Sequence, residues 1–259
     1  MAVALVLILV GGFVIYFSLN QMLAGLDQDN PGGLVPVRVS HWSGYLVSLG
    51  VENRSEAVSS ISASWMVPEI KYSKNDTYSS VWIGVGGYGE KTLIQTGTEQ
   101  ECKDGKIEYY AWYELLPAYI ERINALRIQP GDAIQASISL INENESTWLI
   151  TLTDVTSGRH FEKTVTYNSS QMSAEWIIER PMVQNVISTL ADFGNVTVTN
   201  CSATINGVTG SVSDFIYSPV TMVDSNDTEL TSVLPLSSDG SSFTVSYLNP
   251  YTNSTASTG

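Results

Sequence analysis

Charge is what this sequence has least of. Charged residues make up 15% of its 259 positions, against roughly 25% in an average soluble protein. Cations are the scarcer kind: 12 Lys and Arg stand against 26 Asp and Glu, a net charge of −14. A nucleic-acid binder needs clustered positive charge to neutralise phosphates, so no nucleic-acid partner is expected. Electrostatic docking on anionic lipid fails for the same reason. Histidine and cysteine are nearly missing, with two of each. His41 and His160 are too few for a typical zinc site, and the cysteine spacing is no metal signature. Neither a metal nor a cofactor is therefore expected. Cys102 and Cys201 could form one disulfide in an oxidising compartment, but spacing does not show that they meet.

What replaces charge is hydroxyl. Ser and Thr number 55. A surface of hydroxyls and amides keeps its hydrogen bonds when carboxylates protonate, which fits an acidic habitat and fits an ordinary secreted β protein equally well. With 43% hydrophobic residues a packed core is within reach.

Ala2 to Leu19 carries no charge, and its only polar members are Tyr16 and Ser18. At 1.5 Å per residue such a run nearly spans a bilayer core of roughly 30 Å, so a helical signal anchor or transmembrane segment is expected over residues 1–24. Met22 makes a poor cleavage site at Ala24–Gly25, which favours an uncleaved anchor. Eight of the 15 asparagines, at Asn53, Asn75, Asn144, Asn168, Asn195, Asn200, Asn226 and Asn253, stand in Asn-x-Ser/Thr. Chance in a chain this rich in Ser and Thr gives roughly three, so a glycosylated domain outside the cytoplasm is expected. It would sit on the outer face of the membrane, or be secreted if the anchor is cleaved. Residues 25–40, with Asp-Gln-Asp-Asn-Pro-Gly-Gly, read as a linker. Residues 41–248 read as one domain, expected to be monomeric, and 249–259 as a polar tail.

Within the domain the dominant period is two. Ile134, Ala136, Ile138 and Leu140 share one face, as do Trp148, Ile150 and Leu152. Turn signals recur at Asp104–Gly105, Pro130–Gly131–Asp132, Ser157–Gly158 and Asn206–Gly207. Only Val186 to Phe193 reads as a short helix. Many short strands in one domain predict an all-β sandwich or barrel.

Three strands break the pattern of an apolar core. Alternation puts Tyr110, Trp112 and Glu114 together, then Leu93 and Gln95, then Glu175, Ile177 and Glu179. A carboxylate or amide among large apolar side chains needs partners, because burying it alone costs several kcal/mol. Strand ends facing water would explain any one of these; three in one domain suggest a shared polar groove. Other catalytic templates are missing. No Gly-x-Ser-x-Gly, Asp-Thr-Gly, Asp-Ser-Gly or His-Glu-x-x-His occurs. The run Gly84-Val85-Gly86-Gly87-Tyr88-Gly89 opens no helical pattern, so it is no phosphate loop.

The ordered segments His41-Trp42-Ser43-Gly44-Tyr45, Ser64-Trp65-Met66-Val67-Pro68, Val81-Trp82-Ile83-Gly84-Val85-Gly86-Gly87, Leu93-Ile94-Gln95-Thr96-Gly97-Thr98, Ala111-Trp112-Tyr113-Glu114-Leu115-Leu116-Pro117, Pro130-Gly131-Asp132 and Ala174-Glu175-Trp176-Ile177-Ile178-Glu179 resemble those of the glutamic peptidases, the eqolisins of peptidase family G1. The resemblance covers about Trp42 to Cys201. It implies a lectin-like (concanavalin-like) antiparallel β-sandwich and a catalytic Gln/Glu dyad. The family's Gln falls on Gln95 and its Glu on Glu179, not Glu175. Aromatics of its substrate groove fall on Trp42, Trp82 and Trp112, and a supporting carboxyl on Glu114. The chain departs from the family at Gly86, where Asp is common, by one residue missing before Gln95, and at Leu116 in place of an aromatic.

The implied activity is acid endopeptidase action on polypeptides, with Glu179 as general base on water and Gln95 as oxyanion donor. A Glu base has a reference pKa of about 4.3 and suits acid unless its site moves it upward. The main alternative is a non-enzymatic glycan-binding sandwich stacking sugars on Trp42, Trp82 and Trp112; a cell-surface structural protein is a third. The Gln95/Glu179 pair separates them, since a glycan binder has no need of it.

Overall fold

The computed structural model describes residues 5–10, 13–18, 36–49 and 57–249. Two eight-stranded sheets dominate. One has the spatial order Arg159–Thr166, Thr147–Asp154, Ala133–Asn142, Val58–Met66, Asn195–Ile205, Phe243–Tyr247, Thr231–Val233, with Val208–Gly210 also paired to Asn195–Ile205. The other runs Val37–Val39, Tyr217–Met222, Trp42–Ser48, Ser173–Glu179, Thr77–Gly86, Leu93–Lys103, Lys106–Leu115, Glu121–Arg122. Among the described ladders of these sheets, only that between Val37–Val39 and Tyr217–Met222 is parallel. This is an all-β sandwich, one of the two architectures that the alternation allows and the one that the resemblance implies.

The core between the sheets is built from the period-two faces. Ile134, Ala136, Ile138, Trp148, Ile150 and Leu152 come from one sheet; Val81, Ile83, Val85, Ala174, Trp176 and Ile178 come from the other. Two buried indoles also tie the sheets by hydrogen bonds: Trp65 Nε1 donates to Thr98 Oγ1 at 3.0 Å, and Trp176 Nε1 to the Ser62 carbonyl at 3.0 Å. Buried tryptophan needs such a partner for its N–H, and here that need fixes how the sheets sit on one another.

A second apolar cluster lies on the opposite face of the second sheet. Trp82, Leu93, Trp112 and Ile177 are its buried members, with Trp42, Tyr110 and Leu116 packed around them. The strands Thr77–Gly86 and Leu93–Lys103 are consequently covered on both faces.

Several expectations change. Val186–Phe193 is not a helix. Val186–Ile187 pairs back on Met182–Val183, and Leu190 bridges to Tyr78. Burying Leu190, Ala191 and Phe193 at the sheet edge overrides the helical spacing. Among the described residues the only helical element is the single 3-10 turn Val212–Asp214. Cys102 and Cys201 are both buried and free; the Cys102 thiol donates to the Ser73 carbonyl instead. The expected linker gives up Val37–Val39 to a sheet.

No described helix is long and apolar enough to cross a membrane. Where the anchor helix was expected, Leu5–Val10 and Phe13–Ser18 form an antiparallel two-stranded ladder. Val, Ile and Phe suit strands as well as a span. The rest of the expected anchor and linker up to residue 35, and the tail from residue 250, lie outside the described residues.

The outer cluster depends on Gly97, which sits in register between Trp82 and Trp112. A Cβ there would lie 2.2 Å from the Val81 carbonyl oxygen and 2.6 Å from Trp82 Cβ. Gly97→Ala should therefore destabilise the protein by about 1–3 kcal/mol or more, the usual cost of overpacking. A lowered urea midpoint checks this; an unchanged midpoint would mean that the strands separate without penalty.

Candidate active site

Antiparallel register converts the three irregular strands into rows on one sheet face. The first row reads Glu175, Gly84, Gln95, Glu114. The second reads Ile177, Trp82, Gly97, Trp112. The third reads Trp42, Glu179, Ser80, Glu99, Tyr110. Every residue read from the sequence as a site residue lies in these rows, on the face away from the sandwich core.

Gln95 and Glu179 stand on strands separated by Thr77–Gly86, and each is held by its own partner. Trp82 Nε1 donates to Glu179 Oε2 at 2.8 Å. The Trp42 indole also donates to Glu179. Its ring meets Trp82 edge-on, with centroids 5.2 Å apart. Gln95 Nε2 donates to Glu114 Oε2 at 2.6 Å, a short charge-assisted bond when Glu114 is ionised. Gln95 Oε1 is buried with no protein donor. Such an unsatisfied buried acceptor is uncommon and calls for a functional explanation.

Two of the three aromatics are buried. Trp82 is 1% exposed and Trp112 3% exposed, so neither offers a face for stacking. Their N–H groups are committed, Trp82 to Glu179 and Trp112 to Ser80 Oγ at 3.1 Å. They orient the polar side chains of the third row. Trp42 alone of the three keeps part of its surface open. Gly86, the departure from the family's common Asp, has φ +85°, and a Cβ there would lie 2.7 Å from the Thr92 carbonyl oxygen. The backbone at this position excludes a side chain.

Burial dominates the electrostatics. Glu179 is pushed up to about 7, first by its removal from water. The Trp82 N–H opposes that shift, the Glu114 charge adds to it, and the Trp42 N–H opposes it. Glu114 is also raised by burial, with the Gln95 N–H pulling the other way. Glu175, fully buried, lies well above the ordinary range because of burial, against donations from Ser173 and the Tyr88 backbone. Glu99 lies well above it too, from burial first and then from the charges of Glu101 and Glu179. Glu99 and Ser80 are site-face residues that the sequence reading missed. Continuing the Leu93, Gln95 alternation past Gly97 along the same strand would have found Glu99. Of the two histidines, His160 lies in the other sheet, away from these rows. His41 packs on Trp42 and is pushed down to about 4, by burial and then by Arg180.

These raised carboxyls make a stability prediction. A carboxyl whose folded pKa exceeds its unfolded value holds its proton more tightly in the native state. Its contribution is full below the unfolded value and is lost as pH rises through the folded one. Stability should therefore fall between about 4.5 and about 7 as Glu179 ionises. Glu179→Gln should match the wild type below that window and exceed it above, as thermal melts across pH would record. Parallel curves for the two proteins would contradict the assignment.

The match to known proteins agrees with this geometry. The model of the Peptidase A4 family matches residues 40–247. Aspergillopepsin-2 of Aspergillus niger is 32% identical over 175 residues, which are 66% of this chain. The match spans 59% of that relative's length. Scytalido-glutamic peptidase, solved with a transition state analog inhibitor, superposes with a TM-score of 0.68 at 24% identity, covering 81% of this chain and 98% of that one. Aspergilloglutamic peptidase from Aspergillus niger superposes with a TM-score of 0.58 at 31% identity, covering 66% of this chain and 99% of that one. With most of its described length matched, the chain belongs to the Peptidase A4 family, that of the glutamic peptidases its ordered segments resemble.

Proposed function

We propose that this chain is an endopeptidase that hydrolyses polypeptides with Gln95 and Glu179. The ionised Glu179 takes a proton from water, whose oxygen bonds to the scissile carbonyl carbon. The carbonyl oxygen becomes an oxyanion, held by the Gln95 amide N–H. Glu179 then gives its proton to the nitrogen as the C–N bond breaks. Glu114 keeps the Gln95 amide turned, while Trp82 and Trp42 aim the Glu179 carboxylate. What supports the reading most is this pair of clamps on one sheet face, Trp82 on Glu179 and Glu114 on Gln95. The glycan-binding alternative loses its stacking platforms, since Trp82 and Trp112 are buried.

The acid working range stays part of the proposal on composition, but burial asks something of it. Glu179 near 7 would be protonated in acid, so an acid optimum requires donors arriving with substrate to bring it down. The domain is proposed to work outside the cytoplasm, anchored by residues 1–24 or secreted. Exposure of the six sequon asparagines among the described residues, Asn75, Asn144, Asn168, Asn195, Asn200 and Asn226, supports that reading. Protease added to intact cells should then cut the domain or its linker while a cytosolic marker survives.

The dyad is tested with folded variants in a peptide assay. Glu179→Gln should abolish hydrolysis, and Gln95→Ala should lower kcat by about 10²–10³, the usual loss for an oxyanion donor. Glu175→Gln should keep most activity. Near-normal turnover in Glu179→Gln would end the dyad reading, and an inactive Glu175→Gln would move the base to the other glutamate.

The pH profile tests the electrostatics separately. The acid limb of kcat/KM, which reports the free enzyme, should lie near pH 7, and that of kcat lower. Trp82→Phe removes a donor that favours the carboxylate, so its limb should move to higher pH. A limb that stays in place would deny Trp82 its positioning role.

A further inference from the structure

Glu99 is a buried carboxyl for which the dyad has no use. It lies on the strand of Gln95, 3% exposed, and its Oε1 has no hydrogen-bond partner. In the third row it faces Glu179 across a single small residue, Ser80. Ser80 is itself fixed, accepting from Trp112 Nε1 and donating to the Thr98 carbonyl at 3.1 Å. The other groups facing Glu99 are Tyr78 on the Ser80 strand, Glu101 on its own, Tyr110 across the ladder, and Arg122. Arg122 is the cation of this corner, but it is committed elsewhere. Its guanidinium lies 3.6 Å from the centroid of the Tyr110 ring and pairs with Glu101 at 3.2 Å and Glu108 at 3.4 Å. Glu99 is therefore left with a neighbouring carboxyl and no dedicated counter-charge.

We infer that Glu99 is a further positioning residue: with Glu179 it forms a carboxyl pair across Ser80 that holds one proton between them, carried by Glu99, so that Glu179 is the member that ionises. The inference rests on the reading of Glu179 as the base. Two close carboxyls in a buried site do not both ionise readily, and their protons leave in two separated steps. Glu99 is the deeper of the two and lacks a donor for one oxygen, its charge favoured only by the Ser80 hydroxyl and by Arg122, whereas Glu179 has two indole N–H groups to stabilise its charge. The order of ionisation is thereby set by hydrogen bonding and burial. Loss of the second proton would add a second negative charge to the site face where an oxyanion must form, so the rate should fall again at high pH. Gln95 and Glu179 alone supply no such alkaline limb.

The experiment compares kcat/KM against pH for the wild type and Glu99→Gln. The wild type should show both limbs. In Glu99→Gln the acid limb should stay where it is, because Glu99 is neutral while Glu179 titrates, and the alkaline limb should be lost. An alkaline limb that stays in place, or a uniform loss of rate with both limbs unmoved, overturns the inference. If Glu99→Gln does not fold, infrared absorption of carboxylic acid carries the test in a Glu114→Gln background. Removing the neighbouring charge with Glu179→Gln should move the loss of that absorption to lower pH; an unmoved titration overturns the pair. Turnover by Glu179→Gln would retire the dyad reading itself, whereas an inactive Glu179→Gln with an unmoved limb in Glu99→Gln retires only the pair.

Discussion

The bond from Trp82 Nε1 to Glu179 is the point on which the site depends, and it exists because neighbouring glycines leave the Trp82 side chain room on the sheet face. Gly97 leaves room beside the Trp82 Cα and Cβ, Gly84 leaves room against the indole ring, and Trp42 meets that ring edge-on. A large apolar ring in the middle of the sheet face does two jobs. It removes water from the carboxyl, which raises its pKa, and it offers the N–H that partly opposes that rise. The balance leaves Glu179 titrating near neutrality, in the range where a general base is most useful at moderate pH.

The same logic separates four of the carboxyls that share one sheet face. Glu114 is paired with an amide, Glu179 with two indoles, Glu175 with a backbone N–H and the Ser173 hydroxyl, and Glu99 with the Ser80 hydroxyl, while Glu175 and Glu99 each keep one orphan oxygen. Chemically identical side chains thus acquire different proton affinities from their donors and their depth. Pairs of titratable groups pushed apart in this way are how one scaffold assigns acid and base roles. The price is stability at higher pH, where buried carboxyls must give up their protons.

The strand Leu93–Lys103 shows why part of this escaped the sequence. It is polar on both faces. Thr96, Thr98 and Gln100 point into the sandwich, where Trp65 and the Trp112 carbonyl bond two of them. Gln95, Glu99 and Glu101 point out. Period-two reading therefore finds no apolar face to call the inside, and Glu99 looks like ordinary surface charge. Val186–Phe193 failed for the opposite reason. Its apolar spacing satisfies a helix, but pairing with neighbouring backbone at the sheet edge overrode it.

Alternation of apolar residues determined the all-β class, because a half-buried strand has only two faces and the core must take one of them, and the resemblance chose the sandwich over the barrel. It also determined which side chains of Thr92–Gly97, Ile107–Leu116 and Ser173–Glu179 face together. The order of the motifs carried the family. Tertiary structure alone decided the rows, because register between strands distant in the chain is set by packing and not by any local signal. It turned Trp82 and Trp112 from exposed platforms into buried donors, left Cys102 and Cys201 apart as free thiols, and brought Glu99 beside Glu179. Proton affinity was the last thing to be decided, since it depends on how much water remains around each carboxyl once both faces of the sheet are covered.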